Sequence, residues 1–332
     1  MSEHHGARHG PALVVTRHGG SEVLAVEDRA ATEPGPGQVL VEVAAVGVNF
    51  IDVYQREGVY PGDPPFVLCS EGAGRVLAAA ADADGFTAGD RVGWAMVNGT
   101  GARYATLDAA RLVPVPDAVD LEVAAAVLLQ GMTAQYLVTS TYPVEAGTVA
   151  VVHAAAGGVG QLLVQMLHAR GARVIATAGG PEKCATARRR GADHVIDYRA
   201  TDDLAGALRE AVGGSGAHVV YDGVGRDTFD ASLGALRPRG TMVLFGASSG
   251  QVPPFDIQRL NSGGSLFLTR PSLGHYVATP DELRWRADEV LTAVADGSLH
   301  VEVGGRYPLA DAARAYDDLE GRRTQGKLVL VP

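Results

Sequence analysis

Lysine is nearly missing from this chain of 332 residues: Lys183 and Lys327 are the only two among 28 basic side chains. With alanine and arginine abundant, the scarcity reads as a coding bias, and it makes the place of each lysine informative. Cysteine is as rare. Cys69 and Cys184 are too few for a disulfide framework and too far apart for a metal pair, so a reducing, cytoplasmic compartment is expected. Positive charge is in deficit: the net charge of −10 argues against nucleic acid as the main partner, because phosphate binding needs a basic face. It argues equally against an anionic membrane surface. No apolar run approaches the roughly 18–20 residues that span a bilayer. The opening MSEHHGARHGP has no apolar h-region and is not expected to be a secretory signal. Residues 1–10 are expected to be a flexible tail, its His4, His5 and His9 able at most to take up adventitious metal.

What is present is ordinary for a globular enzyme of two domains: 46% hydrophobic and 20% charged residues, with 43 glycines that suit many strand–turn–helix junctions. The first part reads as β-rich. LVVT, QVLVEVAAVGVN, GAGRVLAAA, DRVGWA and RYATL are short strands between glycine, proline and aspartate turns, which suggests a partly open barrel. DLEVAAAVLLQGMTAQYLVTS reads as helix with a break at Gly131. Strands then alternate with helices from VAVVH to SLFLT, the pattern of a doubly wound parallel sheet. The last sixty residues change again: PDELRWRADEVLTAVADGSL is an amphipathic helix, GGRYPLADAARAYDDLEGRR supplies another, and KLVLVP closes as a strand. The expected division is 1–129, 130–270 and 271–332, the last segment returning to the first domain.

VAVVHAAAGGVG at 149–160 is the most informative stretch. An apolar strand feeds a glycine-rich turn that opens a helix, the context in which such a motif means a bound dinucleotide. Small residues let backbone N–H groups approach a pyrophosphate, and the helix directs its positive end at it. The usual three glycines stand here as Ala155, Gly157 and Gly160. NAD-binding sheets carry an acid at the tip of the second strand for the ribose 2′-OH. Here RVIATA ends in Ala178, Gly179 and Gly180 with no carboxylate, and Lys183 follows. That favours a 2′-phosphate and hence NADPH; the alternative is that Lys183 is a solvated surface residue.

Several segments in order then resemble one family. GVNFIDVYQREGVYP (47–61), SEGAGRV (70–76), AGDRV (88–92), HAAAGGVGQ (153–161), GADHVIDY (191–198), VVYDGVG (219–225), LFGASSG (244–250), TRPSL (269–273) and TQGKLVLVP (324–332) are similar to the zinc-independent, zeta-crystallin-like quinone oxidoreductases of the medium-chain dehydrogenase/reductase superfamily. The resemblance covers residues from about 12 to Pro332. It implies a GroES-like domain and a Rossmann domain with the cofactor in the cleft between them. It implies NADPH-dependent reduction of quinones or related electrophilic alkenes, commonly by a homodimer. Carried over by position, Gly157, Gly158, Val159 and Gly160 would hold the pyrophosphate, and Lys183 and Tyr198 the adenosine phosphate end. Phe245, Gly246, Thr269 and Arg270 would line the nicotinamide side. Thr133 and Gly179 would complete the set, and Arg322 would reach in from the C-terminal segment. Asn49, Asp52 and Tyr54 would border the reaction site with Tyr60 at its mouth.

The zinc alcohol dehydrogenases of that superfamily place a cysteine where GVNFIDV has none and a histidine where Ser70 precedes Glu71, and they carry a four-cysteine lobe that is missing here. Too few nitrogen and sulfur ligands remain for zinc, so no metal is expected. A conjugated acceptor needs no Lewis acid, only a hydrogen bond to its developing oxyanion and a proton. Tyr54 is the first candidate donor and Asn49 the second, with Asp52 orienting one of them; Tyr54 could equally be a packing residue. Three functions stand open: a quinone reductase, an enone or enoyl reductase on the same fold, and an NADPH-binding structural or RNA-binding protein without turnover. A small-molecule substrate and no nucleic acid or membrane partner is the expectation. If a dimer forms, the sheet edge from TMVLFG to SLFLT is its seam.

Overall fold

Val39, Val41 and Val43 alternate with Leu40, Glu42 and Ala44, the period of a strand. Gln38–Gly47 is the strand around which the first part of the protein is built. In the computed structural model, which describes residues 7–83 and 85–332, the chain divides into two units. One is Met1–Met132 with Val277–Pro332; the other is Thr133–Tyr276.

In the first unit Gln38–Gly47 pairs antiparallel with Glu71–Ala79, Tyr104–Asp108 and Lys327–Val331. Arg91–Ala95 and Val113–Pro114 extend the sheet on one side, and Val303–Pro308 lies parallel to Lys327–Val331 on the other. A smaller sheet joins Leu24–Ala31, Arg8–Val15 and Phe66–Val67. Leu13, Val41, Val46, Trp94, Leu107 and Leu328 share one buried apolar core. The proline-rich YPGDPPFVL contributes only a two-residue strand, as a segment short of N–H donors must.

The second unit is a six-stranded parallel sheet. Counted in chain order within this sheet, Val149–Val152, Arg173–Ala178, His194–Asp197, Ala217–Asp222, Leu236–Leu244 and Phe267–Thr269 lie in the order 3-2-1-4-5-6. Helices Gly158–Ala169, Pro181–Arg189, Leu204–Val212 and Phe229–Ala235 connect them. The order reverses beside Val149–Val152. In open sheets of this kind ligands bind outside the carboxyl ends of the strands at such a reversal.

Several expectations need correction. Helix Leu121–Tyr136 runs unbroken through Gly131. Glycine is there for closeness, since a Cβ would lie 2.6 Å from Val290 Cγ1 on helix Pro280–Ala295. With the π-helical turn Leu137–Thr141 that follows, this stretch of 21 residues is long and apolar enough to cross a bilayer by length and composition, contrary to the sequence reading. Its window is 72% buried inside the protein, as in a core helix. The tail is shorter than residues 1–10: a ladder begins at Arg8, paired with Ala31, and His9 meets Asp28 across it at 3.0 Å. His4 and His5 lie outside the described residues. GGRYP is strand and only Ala312–Glu320 of its segment is α-helix, because its backbone finds partners on Lys327–Val331. Leu24–Ala31 is a strand that mixed charge in LAVEDRAA concealed.

Candidate functional site

The buried strand Val149–Val152 delivers the chain to the glycine turn. Ala154 bends it with a φ of 51°, and Gly157 ends the turn at the start of a twelve-residue helix. A Cβ on Gly160 would lie 2.3 Å from the Ala154 carbonyl oxygen and 2.8 Å from Ala155 Cα, so the backbone closes as tightly as only glycine allows. The first N–H groups of the helix have no partner within it and carry the positive end of its dipole. This turn fits a pyrophosphate.

At the tip of Arg173–Ala178 the chain turns through Gly179 and Gly180 into helix Pro181–Arg189, with Lys183 in its first turn. A Cβ on Gly179 would be 2.5 Å from Tyr198 Oη, so the phenol lies against this turn. Asp197 Oδ1 accepts from the Gly180 and Arg199 amides at 2.9 and 3.0 Å. Those two bonds hold its carboxyl below the usual range. Its charge is thereby engaged with backbone. Arg199, which the sequence reading missed, brings Nη1 within 3.8 Å of where a Gly180 Cβ would stand. Its one signal is position, directly after Tyr198.

Phe245 and Gly246 follow strand Leu236–Leu244, Thr269 ends the edge strand, and Arg270 comes next, exposed. With Gly157–Gly160, Gly179, Lys183 and Tyr198 they all stand at carboxyl ends of strands of one sheet. Thr133 and Arg322 do not. Thr133 is buried in helix Leu121–Tyr136, and Arg322 follows Ala312–Glu320 in the other unit with a φ of 54°. Below the rim Asp222 shapes the turn. Its Oδ1 accepts from the Val224 and Gly225 amides, and its Oδ2 from the Thr228 and Ser232 hydroxyls. Ser232 Oγ also meets His153 Nε2 at 3.0 Å, and His153 Nδ1 meets Thr177 Oγ1 at 2.9 Å. This is a Ser–His–Asp trio in the wrong order for nucleophilic catalysis, with serine between histidine and aspartate and all three buried. Burial holds the imidazole below its usual pKa, so His153 is a neutral structural partner.

In the first unit NFIDVY forms the start of helix Phe50–Arg56. Asn49 is committed on every side. Its Nδ2 donates to Gly47 O at 3.2 Å and Glu71 Oε2 at 2.8 Å, and its Oδ1 accepts from Lys327 Nζ at 2.6 Å. With both amide hydrogens used, it has none for a substrate oxygen, which removes the second donor candidate of the sequence reading. Asp52 is wholly buried; its Oδ2 accepts from the Asn49 amide at 2.8 Å and the Tyr316 hydroxyl at 3.0 Å. It caps the helix and does not line an open face. Tyr54 is partly exposed. The Tyr54 carbonyl accepts from the Val59 and Tyr60 amides, which folds the loop back and sets Tyr60 edge-on to Tyr54 at 5.4 Å between ring centres. Phe50 lies 6.4 Å from Tyr54 on the other side. Val59 and Tyr60 are exposed, so an aromatic face stands open to solvent.

A zinc ion does not fit beside Asn49, Ser70 and Glu71. The cation facing Glu71 is the Lys327 ammonium at 2.6 Å, and Glu71 Oε1 accepts from the Leu129 amide at 2.7 Å. Cys69 Sγ faces the Tyr316 hydroxyl at 3.5 Å, and burial pushes its thiol pKa up. Among the described residues no three His, Cys, Asp or Glu side chains gather as a metal site.

Two family profiles match: "Alcohol dehydrogenase GroES-like domain" over residues 35–144 and "Zinc-binding dehydrogenase" over 158–288. The chain is 43% identical to the quinone oxidoreductase of Pseudomonas aeruginosa over 317 residues, 95% of this chain and 97% of that one. The chain belongs to the quinone oxidoreductase family of the medium-chain dehydrogenase/reductase superfamily. Its GroES-like and Rossmann-like parts correspond to the mostly antiparallel sheet of the first unit and the parallel sheet of the second. Escherichia coli quinone oxidoreductase, solved complexed with NADPH, is 40% identical with a TM-score of 0.93, covering 97% of this chain and 100% of its own. The 2-haloacrylate reductase of a Burkholderia species is 40% identical over 329 residues, 97% of this chain and 98% of that one.

Burial, acting against a backbone bond to Asn49 and the charge of Lys327, pushes the Asp52 carboxyl up to about 7. Between about pH 4 and 7 the folded protein therefore holds a proton there that the unfolded chain has released. The stability that this proton contributes is full below about pH 4 and is lost as pH rises to about 7. Asn in place of Asp52 keeps an oxygen for both donors and cannot titrate. Urea unfolding of Asp52→Asn and wild type across this range should give a difference that moves in the variant's favour as pH rises. A pH-independent difference would contradict the assignment.

Proposed function

We propose that this protein reduces small conjugated acceptors, quinones first among them, with hydride from NADPH. The observation that carries the reading is the tip of strand Arg173–Ala178. No carboxylate stands on it, the nearby Asp197 is engaged with backbone, and Lys183 and Arg199 flank a glycine turn beside Tyr198. That is the chemistry a 2′-phosphate requires. The Gly157–Gly160 turn would take the pyrophosphate. Phe245, Gly246, Thr269 and Arg270 would take the nicotinamide end. Bound NADPH supplies the hydride. The face of Phe50, Tyr54 and Tyr60 offers stacking to a flat conjugated ring. Tyr54, a phenol on that face, would donate to an oxyanion developing on the acceptor.

An activated alkene is the second reading, favoured by the 2-haloacrylate reductase relative. Both acceptors share a double bond polarised by a carbonyl or carboxyl group, and both leave an enolate-like oxygen to be protonated. A cytoplasmic setting and a homodimer belong to the same proposal. The edge strand Phe267–Thr269 has one neighbour, and Phe267 is 61% exposed on it. An open edge of this kind is covered in a stable protein.

Four experiments test this. NADPH consumption with a panel of quinones and haloacrylates should show turnover, with NADH much the poorer reductant. Lys183→Ala should raise KM for NADPH about 10- to 100-fold, the worth of one charge-assisted contact, and leave NADH unaffected; equal use of both nucleotides by the wild type would refute the phosphate assignment. Tyr54→Phe should lower kcat about tenfold or more, whereas a kcat within twofold would end its role as donor. Phe267→Asp should halve the mass measured by light scattering, and an unchanged dimer would move the seam elsewhere.

A further inference from the structure

Of the two lysines, Lys183 belongs to the nucleotide end. Lys327 has no place in that reading, yet it is 2% exposed and carries the buried positive charge beside Asn49 and Glu71. Its Nζ reaches Asn49 Oδ1 and Glu71 Oε2, each at 2.6 Å. The same Glu71 oxygen accepts from Asn49 Nδ2 at 2.8 Å, so carboxamide, carboxylate and ammonium form a closed three-membered ring of contacts. An ammonium donates only, and it therefore dictates which edge of the Asn49 amide faces it. That amide in turn fixes the residue from which helix Phe50–Arg56 departs, whose backbone N–H is tied to Asp52. The far end of the helix is tied as firmly. Arg56, wholly buried, donates to both oxygens of Glu320 at 2.9 and 3.2 Å and to Gly19 O at 3.0 Å. Between the two anchors the helix carries the Phe50 and Tyr54 rings.

We infer that Lys327 is a positioning residue for the acceptor: through Asn49 it sets the pose of the Phe50–Tyr54–Tyr60 face without touching the acceptor itself. The inference rests on the reading of that face as the acceptor side. A purely structural lysine would, when lost, weaken the whole protein and both substrates alike. A positioning lysine splits them, because the nucleotide residues at the strand ends belong to the other unit.

The test uses the full chain with two variants. Lys327→Met combined with Glu71→Gln removes both buried charges together, so that no carboxylate is left buried without its cation. Asn49→Ala keeps the Lys327–Glu71 pair and deletes only the link to the helix. Kd for NADPH is read by fluorescence titration, and KM and kcat with a simple quinone. In each variant NADPH binding should stay within about twofold, while KM for the quinone rises about tenfold or more, a shift of acceptor binding alone. A folded, NADPH-binding form of either variant whose quinone KM stays within about twofold of the wild type overturns the inference. So does a parallel loss of NADPH binding and quinone KM in both. If the wild type itself reduces no quinone or haloacrylate, the functional proposal fails, and this inference with it; wild-type turnover with unchanged variant KM sinks the inference alone.

Discussion

The first unit depends on one buried ion pair. Lys327 and Glu71 meet at 2.6 Å with almost no exposure, and four elements converge on them. These are the closing strand that carries Lys327, strand Glu71–Ala79, the start of helix Phe50–Arg56 through Asn49, and helix Leu121–Tyr136 through the Leu129 amide. Burying two charges is costly, and an apolar pair of like volume would often serve stability as well. What such a pair imposes is mutual dependence: either charge left alone would cost about 3–5 kcal/mol. The closing strand must therefore arrive in register beside Gln38–Gly47, with Val329 opposite Gly47, for Glu71 to be tolerated at all.

The second unit uses geometry where the first uses charge. The turn after Val149–Val152 is shaped by the missing Cβ of Gly160, and the turn after Arg173–Ala178 by that of Gly179. The loop after Ala217–Asp222 is drawn tight by one carboxylate that accepts two amides and two hydroxyls. Each presents backbone N–H groups or small side chains at the carboxyl end of a parallel strand. A nucleotide needs a rim of that kind: close backbone for the phosphates and few bulky groups in the way. The cations come last, on the helix and loop beyond it.

Much of this was legible in the sequence because it is local. The strand–turn–helix at 149–169, the bare strand tip at Ala178 and the alternation of strands with helices are patterns within about thirty residues, each set by periodicity and turn chemistry. The strands of the first unit were legible for the same reason, apart from Leu24–Ala31, whose exposed charged residues mask its alternation. Gly131 was misread because a helix tolerates glycine when another helix presses against it, and Val290 is 159 positions away. Arg199 was missed because a single arginine after Tyr198 has no periodic signature.

The sequence by itself determined the fold class, the glycine turn that opens helix Gly158–Ala169 and the lack of an acid at the tip of strand Arg173–Ala178, since each follows from neighbouring residues. Only the tertiary structure decided what Asn49, Asp52 and Lys327 do. Their distant partners lie 22 to 278 positions along the chain, and hydrogen-bond capacity is used up by whichever groups folding brings near. Asn49 looked like a donor to substrate until the ammonium and the Glu71 carboxylate were seen to claim its amide. Asp52, expected to orient Asn49 or Tyr54, is buried and accepts from the Asn49 amide and the Tyr316 hydroxyl. A residue type sets what chemistry is available; burial and the neighbours that folding supplies decide how much of it remains to be used.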